Sequence, residues 1–237
     1  MSWAEGKTVL VTGGSQGIGL ATALAFRNIG ANVTITGTRA SAADYDDDLS
    51  GLDYVQANMA RKADIAALAE SFETLDVLVN NAGMGHANEY AMEGFEAVID
   101  VNLNAVMDLS VRCHAMLAAA KGSIVNVGSL ASFLAIKEAP AYTASKAAVL
   151  GLTRALADKW APDGIRVNMV APGFIETRMT SPMRADEGYE SRLLKSVPMR
   201  RWGEPAEVAA PIVFLASPGA SYITGQSLAM DGGLMLR

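Results

Sequence analysis

The chain has 237 residues, 51% of them hydrophobic and 19% charged, enough to bury one full core and consistent with a single domain. A formal net charge of −6, with no Lys/Arg run longer than two, argues against a nucleic acid or an anionic membrane surface as the main partner. With one cysteine, Cys113, and two histidines, His86 and His114, the chain offers no internal disulfide and no metal-ligand cluster, so a metal-free mechanism in a reducing compartment is expected.

The opening segment MSWAEGK lacks a long apolar h-region, and no later stretch sustains 18 apolar residues, so the expectation is a cytosolic protein without membrane spans. Residues 7–12, KTVLVT, read as a strand that runs through Gly13-Gly14-Ser15-Gln16-Gly17-Ile18-Gly19 into a helix ended at Gly30. Gly13 allows a tight turn, Gly17 lets backbone approach a phosphate, and Gly19 lets the helix pack closely on the sheet. The G-x3-G-x-G spacing departs from the G-x-G-x-x-G dinucleotide fingerprint, and a purely structural turn is the competing reading.

Residues 32–36, NVTIT, form a second strand whose tip should meet an adenosine ribose. Gly37-Thr38-Arg39 follows, with no carboxylate to take a free 2′-hydroxyl and with Arg39 able to take a 2′-phosphate. That pattern favours NADP over NAD, against the alternative of a solvated loop cation. The acidic stretch Asp44 to Asp48 reads as a solvated face. Tyr54 to Ala57 gives a third strand ending at Asn58, Ala60 to Phe72 a helix, and Val77 to Asn80 a fourth strand entering Asn81-Ala82-Gly83. Repeated strand–helix units predict a parallel sheet covered on both faces, with ligands beyond the carboxyl ends of the strands.

Phe95 to Ala119 reads as one long helix with Asn102 inside it, marking either a local kink or a surface amide. Cys113 and His114 further along have no sequence partner that would activate them. A strand over Ile124 to Val127 leads to Ser129, whose hydroxyl can bind a carbonyl oxygen. Thirteen residues on, Tyr142 and Lys146 are four apart at a helix start, so the ammonium and the phenol share one face. A fixed cation there is expected to make the phenol a better acid. Chance occurrence of Tyr-x3-Lys in a helix is the competing reading. The same helix carries Ala144, Ala147, Ala148, Gly151 and Ala155, small residues that permit close helix contact. Residues 165–173 form a sixth strand, residues 174–204 read as a mobile lid, Pro205 to Ala216 as a last helix and Ser227 to Met230 as a final strand.

Thr12 to Gly19, Asn80-Asn81-Ala82-Gly83, Asn102, Ser129 with Tyr142-Thr143-Ala144-Ser145-Lys146, and Ala171-Pro172-Gly173 together carry a family likeness. Over nearly its full length the chain resembles the short-chain dehydrogenase/reductases of the simple one-domain type, including their bacterial 3-ketoacyl reductase branch. The resemblance implies an α/β, Rossmann-type doubly wound parallel sheet of about seven strands with helices on both faces, forming one domain over residues 1–237. It implies that Tyr142 is the general acid of reduction, that Ser129 holds the substrate oxygen, and that Lys146 lowers the Tyr142 pKa and binds the nicotinamide ribose. Asn102 would fix a water in a proton relay to Lys146. For the cofactor it implies Gly13, Ser15, Gln16, Gly17, Ile18 and Gly19 at the turn, Thr38 and Arg39, Asn58 and Met59, and Asn81, Ala82 and Gly83. Tyr142, Lys146, Gly173, Ile175 and Thr177 complete that set.

The activity so implied is NAD(P)-dependent interconversion of a ketone and a secondary alcohol, on a small-molecule carbonyl or alcohol, by a homo-oligomer, tetramer or dimer. Family members that prefer NAD carry Asp where Gly37 stands, which again points to NADP. Met179, Met183 and Tyr189 in the lid suit a moderately apolar ketone, with His86 expected to border the cleft. A 3-oxoacyl thioester reductase is an alternative, weakened because the region around Ala120-Lys121 and Asp163 keeps only one cation for an acidic carrier. A non-catalytic dinucleotide sensor would tolerate loss of Tyr142 or Ser129, and neither is lost. A sugar-nucleotide epimerase would need a larger carboxyl-terminal region than this chain has.

Overall fold

Short runs of β-branched and apolar residues pair side by side in parallel, and their connections are helices that cover both faces of the resulting sheet. The computed structural model describes residues 2–236. Its strands are β1 (Thr8–Val11), β2 (Asn32–Gly37), β3 (Asp53–Gln56), β4 (Val77–Asn80), β5 (Ser123–Val127), β6 (Arg166–Pro172) and β7 (Ser227–Met230). They lie in the order β3-β2-β1-β4-β5-β6-β7. Leaving β1, the chain first winds outward through β2 and β3 and then returns to place β4 on the other side. A doubly wound sheet opens a crevice at that reversal, above the carboxyl ends of β1 and β4.

Alternation along the strands sorts the core into two layers. Val9, Val11, Val33, Ile35, Val79 and Val125 face α1 (Gly17–Asn28) and the carboxyl-terminal helix Pro205–Ala216, meeting Phe26 and Ile212. Leu10, Leu78, Ile124 and Val167 face the other way, toward α2 (Lys62–Glu70), α4 (Ala105–Ala120) and α5 (Pro140–Trp160), meeting Leu68, Leu109 and Leu156. Each such side chain withdrawn from water is worth about 2 kcal/mol, so the two layers hold the crevice's floor rigid. The predicted doubly wound α/β sheet is observed with seven strands.

Two predicted segments differ in detail. The single helix expected over Phe95 to Ala119 is α3 (Met92–Ile99) followed by α4, joined by a π turn over Asp100–Asn104 in which the Ala105 N–H reaches back to Asp100 O. A π turn marks a place where side chains compete with the regular ladder, and here that residue is Asn102. The segment 174–204 is not a plain loop. It contains α6 (Ser181–Ala185) and α7 (Glu187–Ser196), with the last helix, Pro205–Ala216, following as α8. Its ends are tied by the Ile175–Gly203 bridge, and the buried Trp202 donates its indole N–H to Glu190 at 2.6 Å. The helix predicted over 60–72 is shorter, Lys62–Glu70, because Asn58 and Asp64 form the turn that precedes it. Among the described residues, no helix is long and apolar enough to cross a membrane.

Candidate active site

The turn after β1 is knitted to the turn after β4. Asn81 donates through Nδ2 to Thr12 O (2.9 Å) and Gly13 O (3.0 Å), while the Asn81 and Ala82 N–H groups both donate to Thr12 Oγ1 at 3.0 Å. Gly13 and Gly17 have φ of +62° and +56°, which a side chain would strain. A β-carbon on Gly19 would run into Gly13 O and Asn81 Nδ2, so α1 starts against the sheet only because that residue has none. Gln16, at the cap of α1, makes no side-chain cap, which leaves the first N–H groups of the helix facing outward. Free N–H groups beside a glycine cradle suit a pyrophosphate.

At the tip of β2, two tyrosines fix Arg39. Its N–H donates to Tyr45 Oη (3.1 Å), its carbonyl accepts from Tyr54 Oη (2.6 Å), and its guanidinium lies 4.7 Å above the Tyr45 ring. Burial acts to raise the Tyr45 pKa, but the hydrogen bonds with Tyr54 and the Arg39 N–H outweigh it and the phenol titrates below its ordinary value. A β-carbon on Gly37 would collide with Tyr45 Oη and sit 2.9 Å from Tyr45 Cζ. An acidic side chain at the strand tip would have to displace the Tyr45 phenol from its bonds to Arg39 and Tyr54, while a cation stands two residues on, a donor set that fits a 2′-phosphate.

α5 brings the remaining groups together. Lys146 is buried, its Nζ lies 5.6 Å from the Tyr142 ring centroid, and it donates to Val127 O at 2.9 Å. Burial pushes its pKa down to about 8. The Tyr142 phenol moves the other way: burial raises its pKa, a hydrogen bond with Ser129 lowers it, and the Glu89 carboxylate raises it. The sequence led to the opposite expectation, a phenol made more acidic by its lysine. Withdrawal from water is the largest cause of the rise, and the Ser129 hydrogen bond does not offset it. Ser129 accepts the Ala131 N–H at 3.1 Å through Oγ, which directs its O–H toward the Tyr142 phenol on the cleft wall.

Asn102 is behind the wall rather than in it. It is 1% exposed, accepts the Met84 N–H (2.8 Å), and donates to Met84 O (2.9 Å) and Ser145 Oγ (3.1 Å). The surface-amide alternative is thereby overturned. A β-carbon on Gly83 would sit 3.4 Å from both Asn102 Oδ1 and Lys146 Nζ, so these two groups flank one spot.

One cleft of about 470 Å³ is lined by Gly13, Ser15, Gln16, Gly17, Ile18, Gly19, Thr38, Arg39, Asn58, Met59, Asn81, Ala82, Gly83, Ser129, Tyr142, Lys146, Gly173, Ile175 and Thr177. Every cofactor-site residue expected from the sequence is therefore on its surface. His86 is not: it is exposed on the loop after β4, and its Nδ1 accepts the Asn88 N–H. Of the lid residues expected at the substrate, Met179 lines the cleft while Met183 and Tyr189 do not. Sequence reasoning missed Tyr45, which also lines the cleft and sits inside the acidic stretch read as a solvated face. An aromatic among those aspartates was the available signal. It missed Glu89 as well, a buried carboxylate with no motif around it.

A parallel sheet reversed at β1, a glycine cradle at that reversal, and a Ser–Tyr–Lys cluster opening on the same cleft define a dinucleotide-dependent enzyme. The family model described as Enoyl-(Acyl carrier protein) reductase matches residues 13–235. The 2-dehydro-3-deoxy-D-gluconate 5-dehydrogenase of Bacillus subtilis is 39% identical, over 98% of this chain and 96% of its own. The 3-oxoacyl-[acyl-carrier-protein] reductase of Vibrio cholerae is 38% identical, over 98% of each. A crystal structure of a gluconate 5-dehydrogenase from Burkholderia cenocepacia, in complex with NADP and tartrate, superposes with a TM-score of 0.90 at 29% identity, covering 98% of this chain and 96% of that one. The chain belongs to the short-chain dehydrogenase/reductase family and is an NAD(P)-dependent oxidoreductase acting between ketone and secondary alcohol.

Proposed function

We propose that this protein is an NADP-preferring carbonyl reductase in which Ser129, Tyr142 and Lys146 act on a moderately apolar ketone, or on its alcohol in the reverse direction. The observation that carries this reading is the convergence of those three side chains on the cleft that also holds the glycine cradle and Arg39. When bound, the nicotinamide gives or takes the hydride. Ser129, its lone pair engaged by Ala131, donates a hydrogen bond to the substrate oxygen and keeps its proton. Tyr142 donates its proton to the same oxygen as negative charge develops there; oxidation reverses the transfer. Lys146 spends one N–H on Val127 and keeps two for the cofactor's ribose and for the field at the phenol. Asn102 holds Met84 and Ser145 in place behind them, and its proposed part in a water relay to Lys146 rests on its closeness to that ammonium.

Arg39 and the Tyr45 phenol packed against Gly37 support NADP over NAD. Met84 and Met179 at the catalytic end support an apolar substrate, and residues 174–204 act as its lid. An exposed stripe of Ala144, Ala147, Gly151 and Ala155 along α5, and the exposed Met107 and Val111 of α4, support pairing into a dimer or tetramer. The lone buried thiol of Cys113 supports a reducing compartment such as the cytoplasm.

The test is a screen of ketones, sugar acids and 3-oxoacyl thioesters with NADPH and NADH, followed by absorbance, and repeated with Tyr142→Phe. Turnover of a ketone with NADPH that disappears in the variant, with NADPH affinity retained, is the expected result. Near-normal turnover in Tyr142→Phe refutes the assignment. Preferential turnover of thioesters moves the substrate to the 3-oxoacyl class.

A further inference from the structure

Glu89 lies between β4 and α3 and is 3% exposed, yet it takes part in none of the ion pairs among the described residues. Its two carboxylate oxygens are divided between one local and one distant backbone group. Oε1 accepts the His86 N–H at 3.1 Å, and Oε2 accepts the Tyr142 N–H at 2.8 Å across 53 residues of sequence. That second bond falls where α5 needs it. The helix begins at Pro140, which has no N–H, and its cap residue Ala139 has no side-chain acceptor, so the first-turn donors have no local partner. A carboxylate there also faces the positive end of a 21-residue helix.

We propose that Glu89 is a positioning residue for Tyr142: it caps the catalytic helix from the loop after β4 and thereby fixes the phenol relative to Ser129 and the cleft. The proposal rests on the reading of Tyr142 as general acid. It reaches beyond packing because the carboxylate is close enough to act on the phenol, opposing its ionisation. The other groups around Tyr142 are Lys146 on its own helix, uncharged Ser129 and Asn102 from the β5 loop and the π turn, and exposed His86 on the β4 loop. Glu93 and Glu96 of α3 are exposed, and Lys137 and Glu138, just before α5, are exposed and paired with each other. Glu89 is thus the buried negative charge at this site, and its removal has a defined direction. The phenol then ionises at lower pH.

The experiment compares wild type, Glu89→Gln, Glu89→Asp and Tyr142→Phe. Tyr142 ionisation is read in cofactor-free protein as the tyrosinate absorbance difference from Tyr142→Phe; kcat, KM for NADPH and the pH profile are read with the ketone found by the screen. Glu89→Gln keeps one acceptor oxygen for two N–H groups and loses the charge. A fall in kcat of about 10- to 100-fold is expected, with KM for NADPH nearly unchanged and the Tyr142 ionisation moved to lower pH. Glu89→Asp keeps the charge but is too short to bridge both amides, so a smaller fall in kcat is expected with the ionisation left in place. An unmoved ionisation in Glu89→Gln overturns the proposal, whatever happens to kcat, while Tyr142→Phe remains inactive. Should Glu89→Gln fail to fold, wild-type kcat in Glu89→Asp overturns it instead. An active Tyr142→Phe overturns the Tyr142 reading itself, and Glu89's role with it.

Discussion

Lys146 sits one helical turn beyond Tyr142 with its ammonium 5.6 Å from the phenol ring, and it is 5% exposed. Its pKa falls from 10.5 to about 8 because burial disfavours the charged form. A lowered lysine pKa costs stability where both states carry the proton, and the cost vanishes as pH rises, because between about 8 and 10.5 the unfolded chain binds more protons than the folded one. At pH 7 the cost is about 3 kcal/mol on this basis. The stability of Lys146→Met relative to wild type, from urea unfolding, should accordingly decline by up to that amount as pH rises through this window. A difference that stays flat across the window contradicts the buried ammonium.

Arg39 and Gly37 make separable predictions about the cofactor. Arg39→Ala removes a charge-assisted contact to a 2′-phosphate and should lower kcat/KM for NADPH about 10- to 100-fold while leaving the NADH value nearly unchanged. Gly37→Asp alone should not recruit NADH, because Tyr45 occupies the space the new side chain needs. The double variant Gly37→Asp, Tyr45→Ala frees that space and should gain NADH activity. Steady-state kinetics with both cofactors decides it, and a gain from Gly37→Asp by itself contradicts the steric argument.

Gly19→Ala tests the cradle. The added methyl meets the Gly13 carbonyl and the Asn81 amide, backbone and a side chain already held by two hydrogen bonds, so neither can yield cheaply. A loss of about 1–3 kcal/mol in stability is expected, together with weakened NADPH binding in a fluorescence titration. Unchanged binding contradicts a cofactor seated on this turn.

Much of the architecture was legible in the sequence because it is written in local signals. β4, β7 and α8 lie at the predicted residues, since apolar runs bounded by Asn-Asn, Asp-Gly-Gly and Pro205 leave little freedom at their ends. The glycine turn and the Tyr142–Lys146 spacing are equally local, and both reach the cleft. What could not be read depends on contacts between distant segments. Nothing near Glu89 announces that it serves a helix 53 residues away, and nothing near Tyr45 that it lies over Arg39. The direction of the Tyr142 pKa was misread for the same reason: spacing reports the lysine, whereas burial is a property of the whole fold.

Asn102 offers the sharpest test of how the wall behind the site is built. Its amide makes three directed hydrogen bonds, accepting from Met84 N–H and donating to Met84 O and Ser145 Oγ, and Ser145 in turn donates to Tyr142 O at 2.8 Å. Asn102→Asp keeps the shape and the acceptor but replaces both donors with a carboxylate oxygen facing two other oxygens. The Met84 carbonyl then lacks its partner, at about 1–3 kcal/mol, and the buried charge adds to that. Burial and the facing Met84 and Ser145 oxygens oppose ionisation of the introduced carboxyl, and Lys146, whose ammonium donates to Val127 O and not to residue 102, is expected not to offset them. The carboxyl then stays protonated to a higher pH in the folded chain than in the unfolded one, so relative stability is retained at low pH and lost as pH rises. Urea unfolding should show Asn102→Asp falling further behind wild type at about pH 7.5 than at about pH 5, with Asn102→Ala showing no such trend. Equal deficits at both values for the Asp variant place the amide in a different hydrogen-bonding environment from the one described, and detach Asn102 from the support of Tyr142.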